Sequence, residues 1–517
     1  MERPSIIFII FILLVACFFR FTSLNVRPMH TDEAVHAYKL GALLEKGEYS
    51  YDPFEYHGPT LNYLTWCIAK ATGCDLLVET SEFTHRIGPA LCGVALIISV
   101  ILLTGGLKPL TIALAMLLLA VSPVFVFYSR YYIQEMLLVC LSMILIGAVY
   151  RHIQHRSFFW VMTAGCSLGL MHATKETFVI AIFCMAVASV VVFMTMSTRH
   201  RWEVKHNLSI GDLALVALIS IVVSVVCFSK CGTDFSAVID SIRTYKTYFN
   251  RASGEARHIH EWSWYFKCLF LNRHEGFPIW SEGVIGILAL VGIGKSLNLG
   301  DTRGRTYLPL FLFVFSLVMM LIYCMISYKT PWCLLGFYMP IVLLAGLGLE
   351  VMLRSYNGIV LCFVSICVMG IVHLGFQAYQ LNFIYFDQTE NPWVYGHTDG
   401  DLLRLVDKVD SVAKIHPQHY AIKIQVIADD GDYWPLPWYL RHFTQIHWRT
   451  TVRDDVIDAD LWVTTASTEK ETIDKLYTLP KPGEGRLIVP LLASPATLRH
   501  GKYISAYLPS DLYEQMQ

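Results

Sequence analysis

Charge is what this chain lacks most: Asp, Glu, Lys and Arg make up 16% of its 517 residues, against about 25% in a soluble domain. With 55% of the residues hydrophobic there is too little polar side chain to cover a core, so a soluble globular fold is excluded and a polytopic membrane protein is expected. The 40 Lys and Arg residues nearly balance the 41 Asp and Glu, and no basic face is sustained, which excludes nucleic acid as a partner. Cys-x-x-Cys and zinc-ribbon spacings are absent. Of the 14 cysteines most lie inside apolar runs, as Cys17, Cys140, Cys184, Cys227 and Cys362 do, where they act as small buried hydrophobes. None follows Cys367, so the last polar stretch has no disulfide. There is no glycine-rich phosphate loop, no internal repeat and no low-complexity tract. No small-residue cleavage site follows the N-terminal apolar run, which is expected to remain as a first span.

What the chain does have is long apolar runs. A membrane helix needs about 20 mostly apolar residues, and about eleven segments approach that length. They are Ser5–Thr22, Ile87–Leu107, Leu110–Tyr128, Met136–Tyr150, Phe158–His172, Phe178–Met196, Leu213–Phe228, Gly283–Leu299, Tyr307–Ile326, Cys333–Leu353 and Gly358–Phe376. Arg3, Lys108, Arg151, Arg156, Arg199, Arg201, Lys205, Lys295, Arg303, Arg305 and Arg354 all fall on one side of this arrangement. By the positive-inside rule that side is cytoplasmic, the N-terminus with it. Residues 23–86, 229–282 and 377–517 then lie outside. The last of these is polar and holds short β-branched runs (KIQVIAD, LWVTTAS, RLIVPLL) alternating with helix-like ETIDKLY. An extracytoplasmic α/β domain over 377–517 is expected, beyond a membrane domain over 1–376. Amphipathic stretches in the long outer loops, such as LNYLTWCIAKATG, suit the membrane surface.

The outer connections carry charge close to the membrane. RPMHTDEAVHAYKL sets Asp32 beside Glu33, with His30 and His36 flanking them. YSRYYIQEM holds Arg130 and Glu135, MHATKETF holds Lys175 and Glu176, SYKTPW holds Lys329, and Arg86 opens the second span. Charge inside a bilayer is costly, so a one-sided set of this kind points to a site in which cations hold a lipid phosphate and carboxylates handle a proton or a metal. The plainer readings are snorkelling cations and, for Asp32 and Glu33, an acidic pair at a helix N-terminus. Lys175 and Glu176 are adjacent and so are expected to face different partners. A helix from Thr31 would put Asp32 and His36 on one face, as a hydrogen-bonded pair or, with Glu135, part of a divalent metal site. His258 and His260, alternating on an extended segment, are expected on opposite faces as polar surface.

These motifs resemble the GT-C membrane glycosyltransferases, which include protein O-mannosyltransferases and aminoarabinose transferases. HTDEAVHAYKLG is similar to the acidic pair that opens their first outer loop. YHGPTLNYL resembles their His-Pro-Pro-Leu element with Gly58 in place of a proline. HRIGPALCGV, YSRYYIQEM and GLMHATKETF resemble the Arg-containing second span, the Ser-Arg element and the Thr-Lys element. SYKTPWCLLGFYMP and DYWPLPWYLR resemble a bacterial and archaeal flippase-activity-associated branch. The resemblance implies an integral protein of the cytoplasmic membrane that moves a sugar from a polyprenyl-phosphate donor to a glycan, lipid or protein acceptor on the outer face. It implies Asp32 as base, with Glu33 orienting it or binding the acceptor. Arg130, Lys175, Lys329 and Arg86 would hold the lipid phosphate, and His57, Glu135, Glu176 and Trp332 the sugar or acceptor. No nucleotide is required and a divalent metal is left open.

In the tail, the strand running into DDGDYWPLPWYLR would present its carboxyl end as a ligand crevice. Trp434, Trp438 and Tyr439 would either stack on a sugar or pack the tail onto the membrane part. Two other functions compete: a transporter or flippase component, expected to carry mid-membrane charges on broken helices, and a non-catalytic scaffold.

Overall fold

The computed structural model describes residues 4–54, 57–252, 258–297, 307–355, 358–481 and 485–516. Arg3, Tyr56, Arg303 and Arg305 lie outside them. The membrane part runs through α1 (Ile6–Phe21), α2 (Thr31–Lys46), α3 (Thr60–Ala71), α4 (Glu82–Ser99), α5 (Pro109–Val121), α6 (Pro123–Ser129), α7 (Glu135–Gln154), α8 (Phe158–His172) and α9 (Phe178–Thr195). It continues with α10 (Thr198–Asn207), α11 (Ile210–Phe228), α12 (Ser236–Ala252), α13 (Trp264–Phe270), α14 (Gly283–Leu297), α15 (Leu308–Met325), α16 (Leu335–Leu353) and α17 (Gly358–Phe383). Among the described residues seven helical segments are long and apolar enough to cross a membrane, and a bent pair makes an eighth. Three shorter apolar helices, α1, α8 and α14, complete the spans expected from the sequence.

Two expectations are corrected. Leu110–Tyr128 is not one span: it breaks at Ser122 into α5 and α6, bent by 64°. Pro123 cannot donate to the helix ladder and its ring clashes with the preceding turn. The buried Glu282 carboxylate, at the start of α14, bridges the break, accepting from the Ser122 hydroxyl at 2.6 Å, the Val124 N–H at 2.9 Å and the Tyr338 hydroxyl at 3.1 Å. Second, α17 runs on to Phe383, so the boundary drawn after residue 376 falls inside a helix.

The two ends of the bundle differ. α7 begins at Glu135 and carries Arg151 in its last turn. Around that far end Arg151 donates to the Leu102 carbonyl at 2.8 Å, Arg354 pairs with Glu350, and Arg156 lies 3.5 Å from Asp212. The near end gathers the residues singled out above.

Beyond α17 come α18 (Asp401–Ile415), β1 (Lys423–Ile427), α19 (Leu436–Tyr439), β2 (Gln445–Arg449), β3 (Leu461–Thr465), α20 (Ala466–Thr478), β4 (Ile488–Pro490), β5 (Ala496–Arg499) and β6 (Lys502–Pro509). The sheet has the order β2-β1-β3-β6-β4, with β5 paired to β6. β1 is parallel to β2 and β3, and the β6 pairings are antiparallel. Val426, Ile424, Leu461 and Val463 from the strands pack with Leu402, Leu405 and Val409 of α18 in a core of its own. A separate small cluster joins this domain to the membrane part: Trp438, with Trp434 and Tyr439 beside it, packs on Met29, Ala34, Ala37 and Leu77. Trp438 donates its indole N–H to Glu82 at 2.9 Å. Of the two readings of these aromatics the structure takes the second: they pack the tail onto α2.

Candidate functional site

The site is built on the first turn of α2. His30 is its N-cap: its Nδ1 accepts the Asp32 N–H at 2.9 Å, while Glu33 Oε2 accepts the His30 N–H at 3.0 Å, closing a capping box. One flanking histidine is thus explained as a cap, a role more often filled by Ser, Thr, Asp or Asn. From here the two acids diverge.

Glu33 has no exposed surface. It accepts from Arg86 Nε at 2.8 Å and Nη2 at 2.7 Å, from the Tyr132 N–H at 2.8 Å, and more distantly from Arg27 Nη2 at 3.4 Å. Burial pushes its carboxyl up, but the Arg86 and Arg27 guanidiniums outweigh it and bring it down to about 2. The remaining Arg86 donors go to the carbonyls of Leu24, Arg27 and Pro28, so every guanidinium N–H is used. This corrects one expectation and sharpens another: Arg86 has no donor left for a phosphate, and Glu33 is the buried counter-ion of Arg86 and Arg27. Arg130 is corrected too. Its guanidinium caps the C-terminus of α1 through the carbonyls of Phe19 at 3.0 Å, Thr22 at 2.6 Å and Ser23 at 2.9 Å, and lies over the Phe383 ring. Sequence reading missed Arg27, which is wedged between the rings of Phe127 and Tyr131, 4.9 Å from each centroid, and donates to the Arg130 carbonyl at 2.8 Å. Its position inside the quoted motif was the available signal.

Asp32 keeps 46% of its side chain exposed, with Oδ2 3.8 Å from His30 Nδ1. One helical turn on, His36 is buried, and its electrostatic surroundings include His57, Asp32, Lys39 and Lys175. Burial above all, then His57, pushes its imidazole down to about 3, so it stays neutral. Gln134 donates its amide to His36 Nε2 at 3.1 Å, which leaves the proton on Nδ1, a buried atom with no hydrogen-bond partner.

Two loops close the cluster. A Cβ on Gly58 would sit 2.1 Å from the Ala173 carbonyl oxygen, so only glycine lets the backbones meet. The Thr60 N–H then donates to that carbonyl at 3.2 Å, and the Thr60 hydroxyl to Thr174 at 2.8 Å. The departure from proline at Gly58 is therefore a contact requirement. It sets His57 Nδ1 2.8 Å from Glu176 Oε2, while the Tyr51 hydroxyl donates to Glu176 Oε1 at 3.3 Å and Lys175 turns the other way and pairs with Glu135. The two adjacent charges do face different partners. Burial lowers the Lys175 ammonium, but Glu135 overrides this and holds it above the ordinary lysine value.

Lys329 donates to the carbonyls of Ile326 and, at 3.2 Å, His260. Trp332 is buried with its ring against His30, Tyr128, Tyr131 and Tyr395. His258 and His260 do not point apart: both reach the Tyr395 hydroxyl, at 2.7 and 2.9 Å. His258 has φ +81°, which breaks the extended alternation. The metal candidates do not converge either. Glu135 is taken by Lys175 and His36 Nε2 by Gln134, and among the described residues no group of three or more His, Cys, Asp or Glu is placed to hold an ion.

This architecture, helices with a small sheet domain seated on the first outer helix, is that of the GT-C membrane glycosyltransferases. The chain resembles ArnT of Cupriavidus metallidurans bound to undecaprenyl phosphate with a TM-score of 0.64 at 14% identity, over 97% of this chain and 98% of that one. The archaeal oligosaccharyltransferase AglB of Archaeoglobus fulgidus, in complex with an inhibitory peptide and a dolichol-phosphate, matches with a TM-score of 0.58 at 11% identity, over 89% and 69%. Residues 56–227 match the model of the dolichyl-phosphate-mannose-protein mannosyltransferase family. No curated protein matches the chain by sequence. The resemblance read from the motifs is borne out in fold, and the chain is an integral membrane protein.

Proposed function

We propose that the chain is a glycosyltransferase that moves a sugar from a polyprenyl-phosphate donor to a hydroxyl of a glycan, lipid or protein acceptor, with Asp32 as general base. The carrying observation is that of the two adjacent acids only Asp32 keeps an open carboxylate, on the helix face it shares with His36, whose surroundings bring in the half-buried His57 and the buried Lys175, Glu135 and Glu176. In this reading the acceptor oxygen attacks the anomeric carbon and Asp32 takes its proton. The bond from that carbon to the phosphate oxygen breaks, and the electron pair leaves on the polyprenyl phosphate. Lys175, held in place by Glu135, is the cation best placed to meet the charge that develops there, because Arg86 and Arg130 are committed elsewhere. The unpartnered His36 Nδ1–H is a donor available to a bound hydroxyl. The relatives' lipids, undecaprenyl phosphate and dolichol-phosphate, support the donor class. The charge asymmetry of the bundle supports a cytoplasmic N-terminus, a cytoplasmic-membrane location and an extracytoplasmic tail.

The test is transfer from a radiolabelled undecaprenyl-phosphate sugar in proteoliposomes supplied with membrane acceptors. Wild type is expected to move label off the lipid and Lys175→Ala to fail. Retention of full transfer by Lys175→Ala, or no transfer by wild type with any donor sugar, contradicts the reading.

A further inference from the structure

The residues just before Asp32 are held from two sides, by Arg86 and Glu33 and by the chain beyond α17. Met29 donates its N–H to the Tyr439 hydroxyl at 2.8 Å, and its carbonyl accepts from Thr398 Oγ1 at 2.7 Å. His30 Nε2 meets the Tyr395 carbonyl at 3.1 Å. Because its Nδ1 accepts from Asp32, Nε2 is the donor. Thr31, the first residue of α2, accepts from Arg499 Nη1 at 3.3 Å through its hydroxyl. Arg499 ends β5 and is itself fixed: it pairs with Asp432, donates to the Trp434 carbonyl at 3.3 Å, and Lys502 supports the same Asp432 at 3.3 Å. Met29 and Thr31 are thus tied to the tail domain through Tyr439 and Arg499, and Met29 and His30 to the segment leading from α17 into it, through Thr398 and Tyr395.

We infer that the tail domain is part of the active site and that Arg499 is a positioning residue for Asp32, acting through Thr31 at the start of α2. The inference rests on reading Asp32 as the base. A helix start held only by its own cap frays, whereas one pinned at Met29, His30 and Thr31 keeps the Asp32 side chain on one bearing towards the acceptor. Arg499 does this because a guanidinium offers separate N–H groups to Asp432, Trp434 and Thr31 at once. A lysine there reaches Asp432 but not all three.

The experiment compares wild type with Arg499→Ala, Arg499→Lys and Asp432→Asn in proteoliposomes, using two readouts. In transfer from a radiolabelled undecaprenyl-phosphate sugar, Arg499→Ala is expected to lower kcat about 10- to 100-fold with the donor KM unchanged, and Arg499→Lys to recover part of it. In the second readout the carboxylates are coupled to an amine by a carbodiimide and quantified by mass spectrometry. Asp32 labelling is expected to rise about threefold or more in Arg499→Ala and Asp432→Asn as the first turn loosens, while the exposed Asp75 is labelled as in wild type. Unchanged kcat and unchanged Asp32 labelling in Arg499→Ala overturn the inference. If wild type transfers no sugar, the functional reading fails but the labelling still decides whether the tail holds Asp32. An Arg499→Ala protein that does not fold, shown by altered Asp75 labelling, leaves Asp432→Asn to decide in the same way.

Discussion

Asp32 and Glu33 carry the same functional group on adjacent residues, and their side chains leave α2 about 100° apart. That rotation sends Glu33 into contact with Arg86, Arg27 and two backbone N–H groups, with no exposed surface, and leaves Asp32 46% exposed on the side of His36. One acid is spent on holding the first outer loop against α4 and the connection between α6 and α7, and the other keeps an open carboxylate. The same division runs through the cations: Arg86, Arg130 and Arg27 fix backbone, while Lys175 keeps a single carboxylate partner. Charges near a membrane face are thus of two kinds, and those that hold backbone carbonyls, as Arg86 does with every donor engaged, belong to the scaffold.

The sharpest way to break this comparison is to remove the buried member. Glu33→Gln leaves Arg86 and Arg27 buried without their counter-ion, and a cost of about 3–5 kcal/mol is expected, seen as a lowered unfolding midpoint and poor yield in detergent. Lys175→Ala leaves the buried Glu135 without its cation and so is expected to lose stability as well, but per folded molecule an activity loss of about 10²–10³-fold is expected in the transfer assay, because a cation beside the leaving phosphate acts mainly in the transition state. Gly58→Ala drives a methyl into the Ala173 carbonyl and shifts both loops, and a loss of about 10- to 100-fold is expected. A further effect is on pH. A carboxyl held at about 2 in the fold against 4.5 when free contributes stability that is fully present above about 4.5 and is lost as pH falls towards 2, on the order of 3 kcal/mol across that window. Thermal unfolding of wild type is therefore expected to weaken between about pH 4.5 and 3, and of Glu33→Gln to change less over the same range.

Much of the fold was legible, because membrane spans depend on length and hydropathy alone and the tail strands on short β-branched runs. The break at Ser122 was not: Pro123 sits inside an unbroken apolar run, and the carboxylate that stabilises the bend comes from Glu282, far away in sequence. For the site, the sequence located Asp32, Glu135, Lys175 and Glu176 but could not divide scaffold charges from free ones. That division depends on which carbonyls and carboxylates lie within reach, as Phe19, Thr22 and Ser23 do for Arg130. His30 had no role beyond flanking the acidic pair and proved to be a cap, and Gly58 read as a departure from the family and proved to be where two loops touch.

The central claim is the division of labour between two adjacent acids, and the most direct test compares transfer per folded molecule in Asp32→Asn and Glu33→Gln with wild type. Asp32→Asn is expected at wild-type yield and stability with kcat reduced about 10²–10⁴-fold, while the surviving folded fraction of Glu33→Gln keeps the greater part of its turnover. Full turnover in Asp32→Asn, or a stable and inactive Glu33→Gln, would contradict it.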